Sequence, residues 1–167
     1  MNRVEIIPSL CTAANLLLGV SAITAVLNFN LPLSVILILL AAILDRFDGI
    51  LARRFAAETS FGKEFDSLSD LISFGVAPSV LLYSSAQSNH LSTLGYFCLL
   101  LFTICGALRL ARFNVTPTGN YFTGLPITAA GAILAVLVFV IPNTIIVLLL
   151  SVVLSMLMIS NLRIPKF

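Results

Sequence analysis

Charge is scarce in this sequence. Its 167 residues include only 9 Lys and Arg and 7 Asp and Glu, so charged side chains make up 10% of the chain and hydrophobic ones 59%. A soluble domain carries about 25% charged residues. The shortage excludes an ordinary globular domain and points to a chain whose solvent is lipid. Histidine is nearly missing as well: His90 stands alone, which removes Ser-His-Asp catalysis and histidine-ligated zinc. Cys11, Cys98 and Cys105 all fall inside apolar runs. An odd number of cysteines in such settings reads as inert thiols, not a disulfide framework or a zinc site. There is no P-loop, and no nucleic-acid partner is expected. No small-residue cleavage site follows the first apolar run, so that run is read as retained.

What is present is long apolar runs. Measured against about 20 residues per membrane crossing, they give six candidate spans, roughly 9–28, 32–54, 63–84, 91–113, 124–141 and 143–161. The runs are continuously apolar rather than alternating, which favours helices over a barrel. The expectation is an all-α integral membrane protein forming a single transmembrane catalytic domain over residues 1–167. A short interfacial segment, 1–7, precedes the first span, and Pro8 begins that span where proline is tolerated. With six spans the termini share a side with the 2–3 and 4–5 connections. All Lys and Arg residues lie toward that side, while the connections around 28–32, 84–91 and 141–143 have none. The positive-inside rule then places both termini in the cytoplasm.

The acids follow the same side and concentrate in one stretch, DRFDGILARRFAAETSFGKEFDSLSD, at 45–70, which contains every aspartate of the chain. Asp45 and Asp48 are three residues apart and Asp66 and Asp70 four apart, so on helices each pair shares a face. At 1.5 Å per residue Asp45 lies ~20 Å from the outer end of its span and Asp70 ~21 Å from an outer end near Ser84. The two pairs therefore belong to antiparallel neighbours at one depth. Two carboxylates ~5 Å apart repel by roughly 3 kcal/mol at an effective dielectric of ~20, and a bare carboxylate in the hydrocarbon is costly. In a soluble protein, pairing with Arg46, Arg53, Arg54 and Lys63 or simple solvation would suffice. In a membrane, two hard dications, Mg²⁺ or Mn²⁺, are the expected remedy for four such groups.

The neighbours of this stretch suit an anionic ligand. Gly49 and Ala52 leave space one turn from Asp45 and Asp48, although small residues also serve close helix packing. Arg53 suits a phosphate, Thr59 precedes the third span, and Gly62 permits a tight entry. Ser9 and Thr12 on the first turn of span one, with Asn15 a turn deeper, suit either head-group binding or interhelical hydrogen bonds. Arg109 and Arg112 at the inner end of span four read as a clamp for an anionic second substrate, with snorkelling to head groups as the alternative. Pro78 is expected to bend span three. Tyr121 and Phe122 are expected as interface anchors. Spans five and six carry no charge and are expected to serve packing or a subunit interface.

The frame Asp45-x-x-Asp48-Gly49-x-x-Ala52-Arg53, then eight residues, then Gly62-x-x-x-Asp66-x-x-x-Asp70 resembles the signature of the CDP-alcohol phosphatidyltransferases at every fixed position. SDLISFGVAPS at 69–79, ALRLARFN at 107–114 and FTGLP at 122–126 resemble the phosphatidylserine synthase branch. The chain departs at Pro8-Ser9, where such enzymes usually carry Pro-Asn. The resemblance implies six transmembrane helices, a homodimer, and a site facing the cytoplasm at the cell membrane. It implies one divalent ion on Asp45, Asp48 and Asp66 and a second shared by Asp66 and Asp70, with Asp70 as general base. Gly49, Ala52, Arg53, Thr59 and Gly62, with Pro8, Ser9 and Thr12, would receive the cytidine diphosphate of CDP-diacylglycerol or CDP-archaeol. Arg109, Arg112 and Asn114 would hold L-serine. Two rivals remain at this stage: a sister enzyme using glycerol phosphate or inositol phosphate, and a divalent-cation transporter, whose site would lie nearer the midplane.

Overall fold

A computed structural model describes residues 3–55, 59–115, 121–160 and 163–165, with side chains described outside 3–9, 48–55, 121–123 and 163–165. Within these residues the chain is nearly all helical. Helices α1 (Arg3–Leu27) and α2 (Leu31–Phe55) form an antiparallel hairpin, followed by α3 (Ser60–Asp70), a π-helical stretch (Leu71–Val76) and α4 (Ala77–Ser88). Then come α5 (Ser92–Val115), α6 (Ile127–Val140) and α7 (Thr144–Ile159). Each expected span coincides with a helical segment. Three are long and apolar enough to cross a membrane by length and composition, Leu10–Leu27, Ser60–Ser88 and Ser92–Val115, and two shorter ones, α6 and α7, are also apolar.

The turns follow from a few polar residues. Phe29 and His90 take left-handed φ values of 57° and 58°, closing the α1–α2 and α4–α5 connections. Asn30 accepts a hydrogen bond from the Leu33 N–H at 3.2 Å, and Asn143 caps α7 by accepting from the N–H groups of Ile145 and Ile146. Asn89 donates to the Thr144 hydroxyl at 2.9 Å, tying the end of α4 to the start of α7. The Asn30 and Asn143 bonds satisfy N–H groups at helix starts that would otherwise lack a partner.

The rod from Ser60 to Ser88 lies at the centre and is more buried than the other long helices. It packs on α1, α2, α5 and α6. Phe74, Leu81, Leu82, Phe102, Ile127, Leu134 and Met158 are fully or almost fully buried around it. Pro78 does not interrupt the rod. In an α-helix its ring would press on the Phe74 carbonyl and it brings no N–H to that carbonyl. The winding instead loosens by one residue just upstream, with the Ala77 N–H reaching back five positions to the Ile72 carbonyl. Gly131 of α6 then lies directly against this loosened turn. A Cβ there would come within 2.8 Å of Phe74 Cα and would also strike its carbonyl oxygen.

Three features differ from the sequence expectation. Helix α1 begins at Arg3, so Pro8 lies inside it rather than at its start, and no separate segment precedes the helix among the described residues. Pro8 is the sixth residue of the helix, so it costs one hydrogen bond just past the first turn. The bend expected at Pro78 takes the form of the π-helical stretch. Finally, β1 (Tyr121–Thr123) pairs antiparallel with β2 (Arg163–Pro165), Tyr121 opposite Pro165 and Thr123 opposite Arg163. Gly124 follows at φ +78°, where a Cβ would run into the Met158 carbonyl, and the Leu125 N–H donates to the Leu157 carbonyl at 3.1 Å. The ends of α6 and α7 are thus fastened together. The side chains of Tyr121 and Phe122 lie outside the described set.

Gly131→Ala tests the central packing. The new methyl meets backbone that cannot rotate away, so the variant is expected to lose about 1–3 kcal/mol. Thermal unfolding in detergent, compared with an exposed Ala→Gly control on α5 such as Ala111→Gly, measures it.

Candidate active site

Five helices and the π-helical stretch bring their polar residues to one place. From α2 comes Asp45; from α3 come Asp66 and Asp70. One carboxylate oxygen of each lies within 4.8 Å of the others, with Asp70 buried and the other two half-buried. Ionised carboxylates this close repel one another, and a cation between them relieves that repulsion. The side chains of Asp48, Gly49, Ala52 and Arg53, and those of Pro8 and Ser9, lie outside the described set.

The carboxylates are held from outside the cluster. Thr128, in the first turn of α6, donates to Asp45 Oδ2 at 3.2 Å. Asn15 of α1 is fully buried and its amide donates to Asp70 Oδ1 at 3.3 Å. Two hydroxyl bonds seam α1 to the central rod on either side of that contact: Ser69 donates to the Thr12 carbonyl at 3.1 Å, and Ser73 to the Asn15 carbonyl at 3.0 Å. Thr12 is itself buried.

Arg109 of α5 acts electrostatically on both Asp70 and Asp45, and its guanidinium lies 5.6 Å from the centre of the Phe113 ring. Arg112 turns away from it, with Nη1 donating to the Ile159 carbonyl at 3.4 Å. The two arginines expected to act as one clamp are therefore divided between the carboxylates and the end of α7. Their spacing of three turns the side chains ~60° apart around the helix, and α7 lies on the side Arg112 faces. Asn114 donates to Ser67 Oγ at 3.1 Å and to the Glu64 carboxylate at 3.3 Å, so it joins the polar rim of α3. Thr59 caps α3 by accepting the Gly62 N–H at 3.0 Å; a Cβ at Gly62 would sit 3.1 Å from that hydroxyl.

The donor set fits hard divalent cations. Three oxygen ligands converge, and Asp66 Oδ1 and Asn15 Oδ1 are buried with no hydrogen-bond partner. Buried acceptors without partners are rare and call for an ion or a donor. Sequence reasoning placed the aspartates but gave α6 no part in the chemistry. Thr128 was signalled only by being a hydroxyl two residues past Pro126 in an apolar span. Asn15 was noted as polar, yet nothing in its spacing told which residue it meets.

A family model described as CDP-alcohol phosphatidyltransferase matches residues 5–160, and the chain belongs to that family. Among curated relatives it is 41% identical to the CDP-diacylglycerol–serine O-phosphatidyltransferase of Bacillus subtilis, over 96% of this chain and 90% of that one. It is 38% identical to the protein of the same name from Methanocaldococcus jannaschii, over the whole of this chain and 77% of that one. The archaetidylserine synthase of Methanothermobacter thermautotrophicus is 43% identical over 74% of this chain and 54% of its own length.

Titration with Mn²⁺ or Mg²⁺ in a calorimeter is expected to give a binding heat that Asp66→Asn greatly reduces. Thr128→Val, which frees Asp45 from its donor, is expected to weaken metal binding about tenfold, as loss of an outer partner does. Unchanged affinity in Thr128→Val would leave that hydroxyl a packing contact.

Proposed function

We propose that this protein transfers a phosphatidyl or archaetidyl group from a CDP-linked lipid, CDP-diacylglycerol or CDP-archaeol, to the hydroxyl of L-serine, releasing CMP. The observation that carries the reading is the convergence of Asp45, Asp66 and Asp70 from two helices in a chain of the CDP-alcohol phosphatidyltransferase family. The names of the relatives support serine as the acceptor. Family membership also takes away the ground for a cation transporter.

In this reading Asp45, Asp48 and Asp66 hold one divalent cation, and Asp66 and Asp70 a second. When bound, such ions neutralise the diphosphate and stabilise the leaving CMP. The remaining work belongs to the chain. Gly49, Ala52, Arg53, Thr59 and Gly62 receive the cytidine diphosphate, with Pro8, Ser9 and Thr12 alongside. Asp70 takes the proton from the serine hydroxyl as its oxygen bonds to the lipid-linked phosphorus. Arg109, beside Asp70, holds the serine carboxylate and so aims the hydroxyl in line with the departing oxygen. Arg112 and Asn114 complete the serine site further out. The reading includes six membrane crossings, both termini in the cytoplasm, an active site facing the cytoplasm at the cell membrane, and a homodimer. The placement of Lys and Arg supports the orientation.

Purified protein offered CDP-diacylglycerol with serine, glycerol phosphate or inositol phosphate is expected to release CMP rapidly only with serine; release with a phosphorylated acceptor instead would reassign it to a sister activity. Asp70→Asn is expected to lower turnover at least about 100-fold, the usual contribution of a general base. Arg109→Ala is expected to raise the serine KM about 10-fold or more while barely moving the liponucleotide KM, as loss of a charge-assisted bond would. Arg112→Ala is expected to have the smaller effect; equal effects on both substrates would demote Arg109 to a structural cation.

A further inference from the structure

Asn15 is the buried group the transfer chemistry leaves unused. It is fully buried in α1, a helix that among the described side chains supplies no charged one to the cluster. Its amide Nδ2 meets Asp70 Oδ1, and its Oδ1 has no partner. The amide must present its N–H to the carboxylate, because the reverse orientation would set two acceptors against each other. The backbone at Asn15 is immobilised as well. Its own carbonyl accepts from Ser73, one turn earlier Thr12 accepts from Ser69, and one turn later Gly19 packs so closely that a Cβ would lie 2.8 Å from Ser73 Cα. The side chain therefore projects from a fixed point toward one oxygen of one carboxylate.

We propose that Asn15 is the positioning residue of Asp70. By donating to Oδ1 it fixes the plane in which the carboxylate presents itself to the acceptor hydroxyl. The proton passes from the hydroxyl to the Asp70 carboxylate, the acceptor oxygen bonds to phosphorus, and the bond from phosphorus to the CMP oxygen breaks with its electron pair leaving on CMP. An aspartate at position 15 would add another negative charge to the cluster. An amide gives the same reach with a donor and no charge, which is why Asn suits the position. The free Oδ1 is an acceptor placed beside the base, suited to the ammonium or hydroxyl of the incoming alcohol. This inference rests on Asp70 acting as the base.

The test uses the full chain in detergent with Mn²⁺, CDP-diacylglycerol and serine. Asn15→Leu, which keeps the branched shape at a larger volume, and Asn15→Ser, which is small and folds readily in a membrane helix, are both expected to lower kcat about 10- to 100-fold, in the range seen for outer partners of site carboxylates. The liponucleotide KM is expected to stay within about twofold, since no contact to the nucleotide is removed. Ser155→Ala, which removes a buried hydroxyl that bonds only within α7, is expected to keep kcat within about twofold. A kcat for Asn15→Ser equal to the parent's, an equal fall in Ser155→Ala, or a change confined to the liponucleotide KM would overturn the proposal. If Asp70→Asn itself retains full turnover, the reading of Asp70 as base falls first. If Asp70→Asn is inactive and both Asn15 variants turn over normally, only the role of Asn15 falls.

Discussion

Carboxylates do not gather in a low-dielectric place by themselves. Here Asp45, Asp66 and Asp70 bring oxygens within 4.8 Å of one another, and each close pair carries a repulsion of roughly 3 kcal/mol at an effective dielectric of ~20. A fold that accepts this must supply both a force holding the helices together and a positive charge for the carboxylates to share. The first is visible in the hydroxyl seam of Ser69 and Ser73 on α1 and in the tight seat of Gly131 on the π-helical turn. The second is begun by Arg109 and, in the reading proposed, completed by cations. Most of the polar interactions around the cluster serve one or the other requirement.

The division between helices follows from it. The central rod supplies two of the three clustered carboxylates and the hydroxyls that fix α1, so its register decides where everything else must lie. Pro78 sets that register. Its missing N–H obliges the turn before it to widen, and Asp70 is the last residue of regular α winding before the wide turn begins. A proline eight residues beyond Asp70 thus helps to place the cluster without approaching it. The ribbon of β1 and β2 does similar work at a distance: it fastens the entry to α6, and with it Thr128, to the end of α7.

Much of this was legible in the sequence, for physical reasons. Apolar runs of the length a membrane demands marked the helices, and the spacings of Asp45, Asp66 and Asp70 put them on facing sides at one depth. The contributions of Asn15 and Thr128 were not legible. A lone polar residue in an apolar helix announces that it has a partner, but its identity depends on helix rotation, which periodicity does not give when the whole helix is apolar. The same ambiguity made Arg109 and Arg112 read as one clamp. Only the position of α7 separates them. The β pairing escaped because three-residue strands carry no usable period.

The remaining question is why the acceptor side should sit on α5 rather than among the aspartates. A metal pair held by carboxylates recognises phosphate by charge alone and is indifferent to what the phosphate is attached to. Selectivity between one alcohol and another has to come from groups that read the rest of the acceptor. Arg109 stands at the boundary, close enough to act on Asp70 and Asp45 yet backed by Phe113, with Asn114, Ser67 and Glu64 forming a separate polar rim beyond it. That rim offers a carboxylate and neutral donors, which suits an acceptor bearing an ammonium and a carboxylate and opposes one bearing a phosphate dianion. In the reading proposed, a general phosphoryl-transfer half built on α2 and α3 is thus separate from a half on α5 where acceptor choice is made.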